Sequence, residues 1–316
     1  AAWLKKLSGA DNADKAAVID MLGDNKVAAA LPALQKLLGS RSADVKSAAV
    51  KAVGATGGAA ALPALLQTMK TGDAATISDV KNALLIMPGN EVAAQSGAAL
   101  AAMPAPAQEA LLTVLAARKA DSRVDDVLPL TASTDAATRS AAIGALKDIA
   151  TRANLPELFT LLDNAAGDTD ISNLQEALIG AGAGSEDVLA QMKKASAGKQ
   201  SRYLPVLAGI GDAAALQTTV TAFDNGDAST KKAAVAALSA WKNTAAAAAL
   251  LKIARDKANS AYREEALAGY VSLTRKSGYP ADQQLLMLRN AMELAATPAL
   301  QQKILQGAER CKTLPA

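Results

Sequence analysis

At 316 residues the chain is long enough for two ordinary domains or one repeat array; half of it is apolar, yet only eight residues are aromatic. With no His and a lone Cys311, it lacks the commonest acid/base and metal-ligand side chain, the parts of a Ser-His-Asp or Cys-His nucleophile, and any intrachain disulfide, so no cofactor or metal is expected. The net charge of +3 divides unevenly, with 16 Lys/Arg against 21 Asp/Glu in residues 1–190 and 17 against 9 in residues 191–316.

Most of the apolar fraction is Ala and Leu, the strongest helix formers, and Ala lets helices pack closely. An all-helical chain follows. Residues 1–7 (Ala-Ala-Trp3-Leu4-Lys-Lys-Leu7) read as the end of a helix with Trp3, Leu4 and Leu7 on one face. The first full unit pairs a helix over 14–22, broken at Gly23, with one over 27–38 that opens with Leu31-Pro32-Ala33-Leu34. Proline suits a first helical turn, where its missing N–H leaves nothing unpaired. The second unit repeats this. A helix from Ser42 stops at Gly54 and Gly57-Gly58, and its partner opens with Leu62-Pro63-Ala64-Leu65, 31 residues after the first such motif.

Small residues at the centres of the first helices track further copies: Ala17, Ala49, Ala83, Ala110, Ala142, Ala177, Pro205, Ala234 and Ala266, with a mean step of about 31 residues. At Pro205 the helix begins at Leu204 or is kinked. A tenth first helix is expected over 298–310. Three units align position for position: Ser42 with Lys46-Ser-Ala-Ala-Val, Asp135 with Arg139-Ser-Ala-Ala-Ile, and Asp227 with Lys231-Lys-Ala-Ala-Val. The Ser or Asp is a natural N-cap, and the Ala-Ala-Val/Ile run forms a buried stripe.

This pattern resembles HEAT repeats, in particular the short bacterial phycobilisome-lyase-like type, over nearly the whole chain. The resemblance implies one α-solenoid, HEAT/armadillo-like, of nine to ten antiparallel helical hairpins spanning 1–316. It also implies capping and inter-repeat hydrogen bonding by Asp135 with Arg139 and Asp227 with Lys231. Tetratricopeptide and ankyrin signatures are absent.

Chemistry is sparse. The carboxylate pairs Asp125-Asp126 and Glu264-Glu265 diverge on a helix, and Asp168-Thr-Asp170 reads as helix capping. Gly180-Ala-Gly182-Ala-Gly184 lacks the Lys-Ser/Thr of a phosphate loop and reads as a turn. Cys311, between Arg310 and Lys312, reads as an incidental thiol, and Trp241 as packing at a hairpin turn. Lys252, Arg255 and Asn259 share one helix face, which Lys193, Lys194 and Arg289 extend in neighbouring units. That face is either an ordinary solvated surface or part of a binding groove on second helices lining a concave side.

The expected function is a non-catalytic protein–protein interaction scaffold, acting as a monomer on a protein partner. The alternatives are polyanion binding by the basic C-terminal half and a lyase related to bilin lyases. Nucleic acid is disfavoured because base-stacking aromatics are scarce. No run is long and apolar enough to span a bilayer; the longest uncharged stretch, 92–108, holds Pro104 and Pro106 and reads as helix, turn, helix. The start at Ala1 without Met reads as a processed or excised piece of a longer protein, and on that ground a periplasmic or secreted bacterial protein is expected.

Overall fold

A computed structural model describes Leu7 and residues 11–311, with no strand among the described residues. The face expected at Trp3 and Leu4 lies outside them, although Leu7 is buried. The chain divides into two compact units, residues 1–151 and 152–316. The first holds α1 (Asn12–Asp24), α2 (Leu31–Leu37), α3 (Ala43–Gly57), α4 (Leu62–Thr71), α5 (Ala74–Ile86), α6 (Glu91–Leu100), α7 (Ala105–Ala117), α8 (Val124–Val127) and α9 (Ala136–Ile149). The second holds α10 (Leu155–Asn164), α11 (Asp168–Gly180), α12 (Ser185–Lys194), α13 (Ala197–Gln200), α14 (Leu204–Ile210), α15 (Ala213–Asn225), α16 (Ala228–Ser239), α17 (Ala247–Arg255), α18 (Arg263–Lys276), α19 (Ala281–Met292) and α20 (Pro298–Arg310). The fold is an all-α solenoid of helical hairpins.

In the first unit the first helices α1, α3, α5, α7 and α9 start just after positions 11, 42, 73, 104 and 135, and each stacks on the next. The second helices α2, α4 and α6 each pack against the first helix that follows. The second unit repeats both layers, with α11, α14, α16, α18 and α20 stacked in order and α15, α17 and α19 packed on α16, α18 and α20. The stripes read from sequence form the core. Ala49, Val50 and Val53, then Ala142, Ile143 and Leu146, then Ala234, Val235 and Leu238 are all buried.

The N-caps are where the sequence puts them. Asp135 and Asp227 accept from Thr138 N and Thr230 N at 2.8 Å, and Ser42 accepts from Val45 N. Asp11, Asp73 and Asp212 do the same for α1, α5 and α15. Asp168 is not a cap: α11 is capped by Gly167, and Asp168 and Asp170 lie in its first turn, where the helix dipole favours them. Pro205 stands at the start of α14, after α13 and a 3-10 turn over Ser201–Tyr203, so the seventh first helix is broken and no backbone donor is lost to the proline.

Two glycine readings are corrected. Gly54 does not stop α3. The helix runs on to Gly57, and a Cβ at Gly54 would lie 2.9 Å from Ala83 Cβ, so glycine here sets the close approach of α3 to α5. Similarly, Gly23 lies inside α1, where a Cβ would come within 2.8 Å of Ala52. The expectation of no bilayer-length apolar run also needs amendment. Residues Ala43–Thr71 form one helical run that holds an 18-residue window of mean hydropathy 1.4, apolar enough by composition. The run folds back at Gly58 (φ +48°) into α3 and α4, each shorter than a bilayer needs.

Neighbouring hairpins are also tied by arginines. The Arg118 guanidinium donates to the carbonyls of Leu84, Met87 and Gly89, closing the C-terminus of α5. Arg202 does the same for α10 through Leu162 O and Ala165 O, both at 2.9 Å. Arg139 and Lys231 reach back toward the preceding hairpin, Arg139 donating to Ser133 O in the loop before α9 and Lys231 Nζ sitting 5.7 Å above the Phe223 ring of α15.

Candidate functional site

Two clefts open beside the second helices, one in each unit. In the first unit a cleft of about 390 Å³ is lined by Gln35 of α2, Gln67, Thr68 and Thr71 of α4, Lys46 of α3 and Thr76 of α5. In the second unit a cleft of about 500 Å³ is lined by Thr218, Thr221 and Asn225 of α15, Gln200 of α13, and Ser229 and Thr230 of α16. The two are repeat-equivalent. Thr71-Gly72-Asp73 with Thr76 in one matches Asn225-Gly226-Asp227 with Thr230 in the other, where a second helix ends and the next first helix is capped. Hydroxyls and amides share both linings with apolar side chains and with one charged residue each, Lys46 in the first and Asp227 in the second.

The five basic residues read from sequence are all exposed. Lys193 and Lys194 end α12, Lys252 and Arg255 end α17, and Arg289 is on α19. All five therefore lie on second helices. Between α12 and α17 the intervening second helix, α15, presents Thr218, Thr221 and Asn225 instead, so the basic stripe is broken there. All five occupy last turns, where a cation is stabilised by the helix dipole. Arg289 Nε approaches Glu293 Oε1 at 3.8 Å. Leu250, Ile253 and Ala254 are buried on the opposite face of α17, as its periodicity requires. Asn259 is not on that helix, which ends at Arg255; its side chain donates to Asp256 in the following 3-10 turn.

The remaining chemical candidates resolve into structural roles. Asp126 pairs with Arg123 at 3.3 Å while Asp125 is exposed, and Glu264 accepts from Thr297 Oγ1 at 2.8 Å while Glu265 is exposed. Neither pair converges. Gly182 has φ +79° at the end of α11, a turn conformation that favours glycine, and Ala183 N closes back on Leu178 O. Lys26 and Lys119 adopt the same left-handed conformation after α1 and α7. Trp241 is buried just after α16. The half-buried Cys311 thiol contacts Gly307 O at 3.5 Å and Gln284 Oε1 at 3.7 Å. Among the described residues no group of three acidic or Cys side chains converges as a metal site would require.

Sequence reasoning missed two features. One is a buried polar link: Tyr203 Oη to Asp163 Oδ1 at 2.7 Å, with Gln191 Nε2 on Oδ2 at 3.0 Å. Burial first, and the Asp163 carboxylate second, push the Tyr203 phenol well above its ordinary range. The other is a basic cavity of about 470 Å³ between α18 and α20, with Arg275, Lys276 and Lys303 at its rim. Neither shows in helical periodicity, because each is assembled from side chains on separate helices.

Residues 1–84 match the family model for HEAT repeats. No curated protein matches the chain. Among solved structures it is similar to Kap121p bound to Nup53p, with 14% identity over 97% of this chain and 40% of that one and a TM-score of 0.60. It is equally similar to the karyopherin Kap121p bound to the extreme C-terminus of the protein phosphatase Cdc14p (14% identity, 97% and 41% covered, TM-score 0.60). Kap121p bound to RanGTP gives 14% identity, 98% and 40% covered, and a TM-score of 0.58. The chain spans about 40% of the length of these proteins, and likeness at such identity shows the fold alone. None of these matches names the phycobilisome-lyase-like type. The chain is an all-α solenoid of helical hairpins whose residues 1–84 match the HEAT-repeat family.

Proposed function

We propose that this chain is a non-catalytic binding scaffold, and that its ligand is an extended segment of a partner protein laid across its second helices. The observation that carries this reading is the recurrence of one cleft in two repeats, with Thr71-Gly72-Asp73 and Asn225-Gly226-Asp227 at equivalent places. The hydroxyls and amides of these linings can pair with a peptide backbone, whose polar groups need hydrogen-bond partners once they leave water. Each cleft accommodates a few side chains and not a folded domain. A recurring shallow cleft distributes binding over several repeats, as extended solenoid surfaces do. The fold neighbour Kap121p is described bound to the extreme C-terminus of Cdc14p, a terminal segment of a protein. In this reading Lys193, Lys194, Lys252, Arg255 and Arg289 are rim charges that speed encounter with acidic flanks of the segment.

The test is capture on immobilised wild-type chain beside a variant carrying Thr218→Arg and Thr221→Arg, both checked for equal helicity. A partner retained by wild type and lost by the cleft variant supports the reading. An identical set of retained proteins on both, or turnover of a small molecule by the chain, contradicts it.

A further inference from the structure

We propose a second binding site on this chain, formed between first helices and separate from the second-helix clefts, that takes an acidic peptide segment of a partner protein with an apolar residue at its centre. The cavity of about 470 Å³ between α18 and α20 has an apolar floor, Val271 and Leu300, 3% and 4% exposed. Its rim carries Arg275 and Lys276 from the last turn of α18 and Lys303 from α20. Among the described residues these three cations form no ion pair, whereas Lys119, Arg123, Arg152 and Arg289 each have a carboxylate partner. No acidic side chain lines the cavity.

The Arg275 stem lies on α20 at Gly307, where a Cβ would sit 3.4 Å from Arg275 Cδ and 3.3 Å from Leu288 Cδ1. A glycine inside a helix costs about 1 kcal/mol relative to alanine. At position 307 its bare backbone leaves room for the arginine stem, which brings the guanidinium to the rim beside Lys303.

Three adjacent cations exceed what a single carboxylate can satisfy, and the apolar floor has no use for a bare phosphate. No aromatic residue lines the cavity, so nothing there stacks a base. An apolar side chain seated on Val271 and Leu300, with carboxylates on either side, meets the floor and the rim together. The excess of 17 Lys/Arg over 9 Asp/Glu in residues 191–316 would steer such a segment toward this half of the chain.

This site does not depend on the cleft reading, and its test separates the two. The probe is a fluorescent peptide of four glutamates around one leucine, titrated by anisotropy against the whole chain at moderate salt. Saturable binding is expected, weakened by about tenfold or more in a variant with Arg275→Glu and Lys303→Glu. Binding should also weaken when serine replaces the peptide's leucine, and should survive Thr221→Arg in the cleft. If charge reversal disturbs the fold by circular dichroism, Arg275→Gln with Lys303→Gln carries the same expectation in milder form. The proposal is overturned by absence of saturable binding, by equal affinity for the serine peptide, or by loss of binding on Thr221→Arg alone. Tighter binding of a short oligothymidine than of the peptide overturns it in favour of nucleic acid.

Discussion

Tyr203 donates its phenolic hydrogen to Asp163 Oδ1 at 2.7 Å, tying the turn before α14 to the end of α10. Tyr203 is completely buried, and Gln191 from α12 holds the second carboxylate oxygen. Removing the hydroxyl leaves a carboxylate short of one partner, at a cost of about 1–3 kcal/mol. Urea unfolding of Tyr203→Phe near pH 7 should show that loss. The phenol's ionisation is raised in the fold, so its contribution is fully present below the unfolded tyrosine value, about 10, and is lost as pH rises through the folded value. The stability gap between wild type and Tyr203→Phe should therefore narrow above pH ~10. A gap that widens there would contradict this assignment.

Gly54 and Ala83 bring α3 and α5 into close contact, and a methyl group at position 54 would collide with Ala83. Intrinsic propensity favours Gly54→Ala in a helix interior, whereas packing opposes it. Packing should win, with a net loss of about 1–3 kcal/mol by thermal or urea unfolding. A stabilised Gly54→Ala protein would show that the two helices have room to part.

Arg118 satisfies three carbonyls at the end of α5 while half-buried, and burial lowers its pKa from the ordinary guanidinium value. Replacing it with Met should cost about 1.5–3 kcal/mol, because the carbonyls of buried Leu84 and Met87 lose a charged donor. Lysine should rescue little, since a point charge cannot span three acceptors arranged for a planar fork. Hydrogen exchange at residues 84–90 should accelerate in both variants. Full rescue by Arg118→Lys would mean that charge alone matters there.

The caps set the acid limit. Backbone hydrogen bonds from Thr138 and Thr230 hold the carboxyls of Asp135 and Asp227 below the usual value, the bond from Ala215 does so for Asp212, and the Thr76 side chain leads for Asp73. Their contribution is present above the unfolded value of 3.8 and is lost as pH falls through the lower folded values. Helicity followed by circular dichroism should fall below pH ~4, and a variant with Asp73, Asp135 and Asp227 all changed to Asn should show a shallower acid transition.

The repeat was legible because its signals are local. Asp135 and Asp227 cap from four residues before a basic residue, and Pro32, Pro63 and Pro156 stand in the first turns of α2, α4 and α10. Gly54 was misread as a stop because propensity describes an isolated helix, while the residue answers to Ala83 on another one. Arg118 and Arg202 look in sequence like ordinary surface cations, and their partners lie 29–40 residues earlier in the chain. The exposed faces of Lys252 and Arg255 follow from periodicity along a single helix. The rim of Arg275 and Lys303 does not, since it exists only where α18 meets α20.

The most direct measurement of the scaffold reading is hydrogen exchange of the chain with and without a captured partner. The account predicts protection concentrated at the ends of second helices and the following caps, residues 67–76 and 218–230, with buried first-helix stripes such as 142–146 unchanged. Protection confined to one enclosed pocket, or absent from both cleft segments, would contradict it.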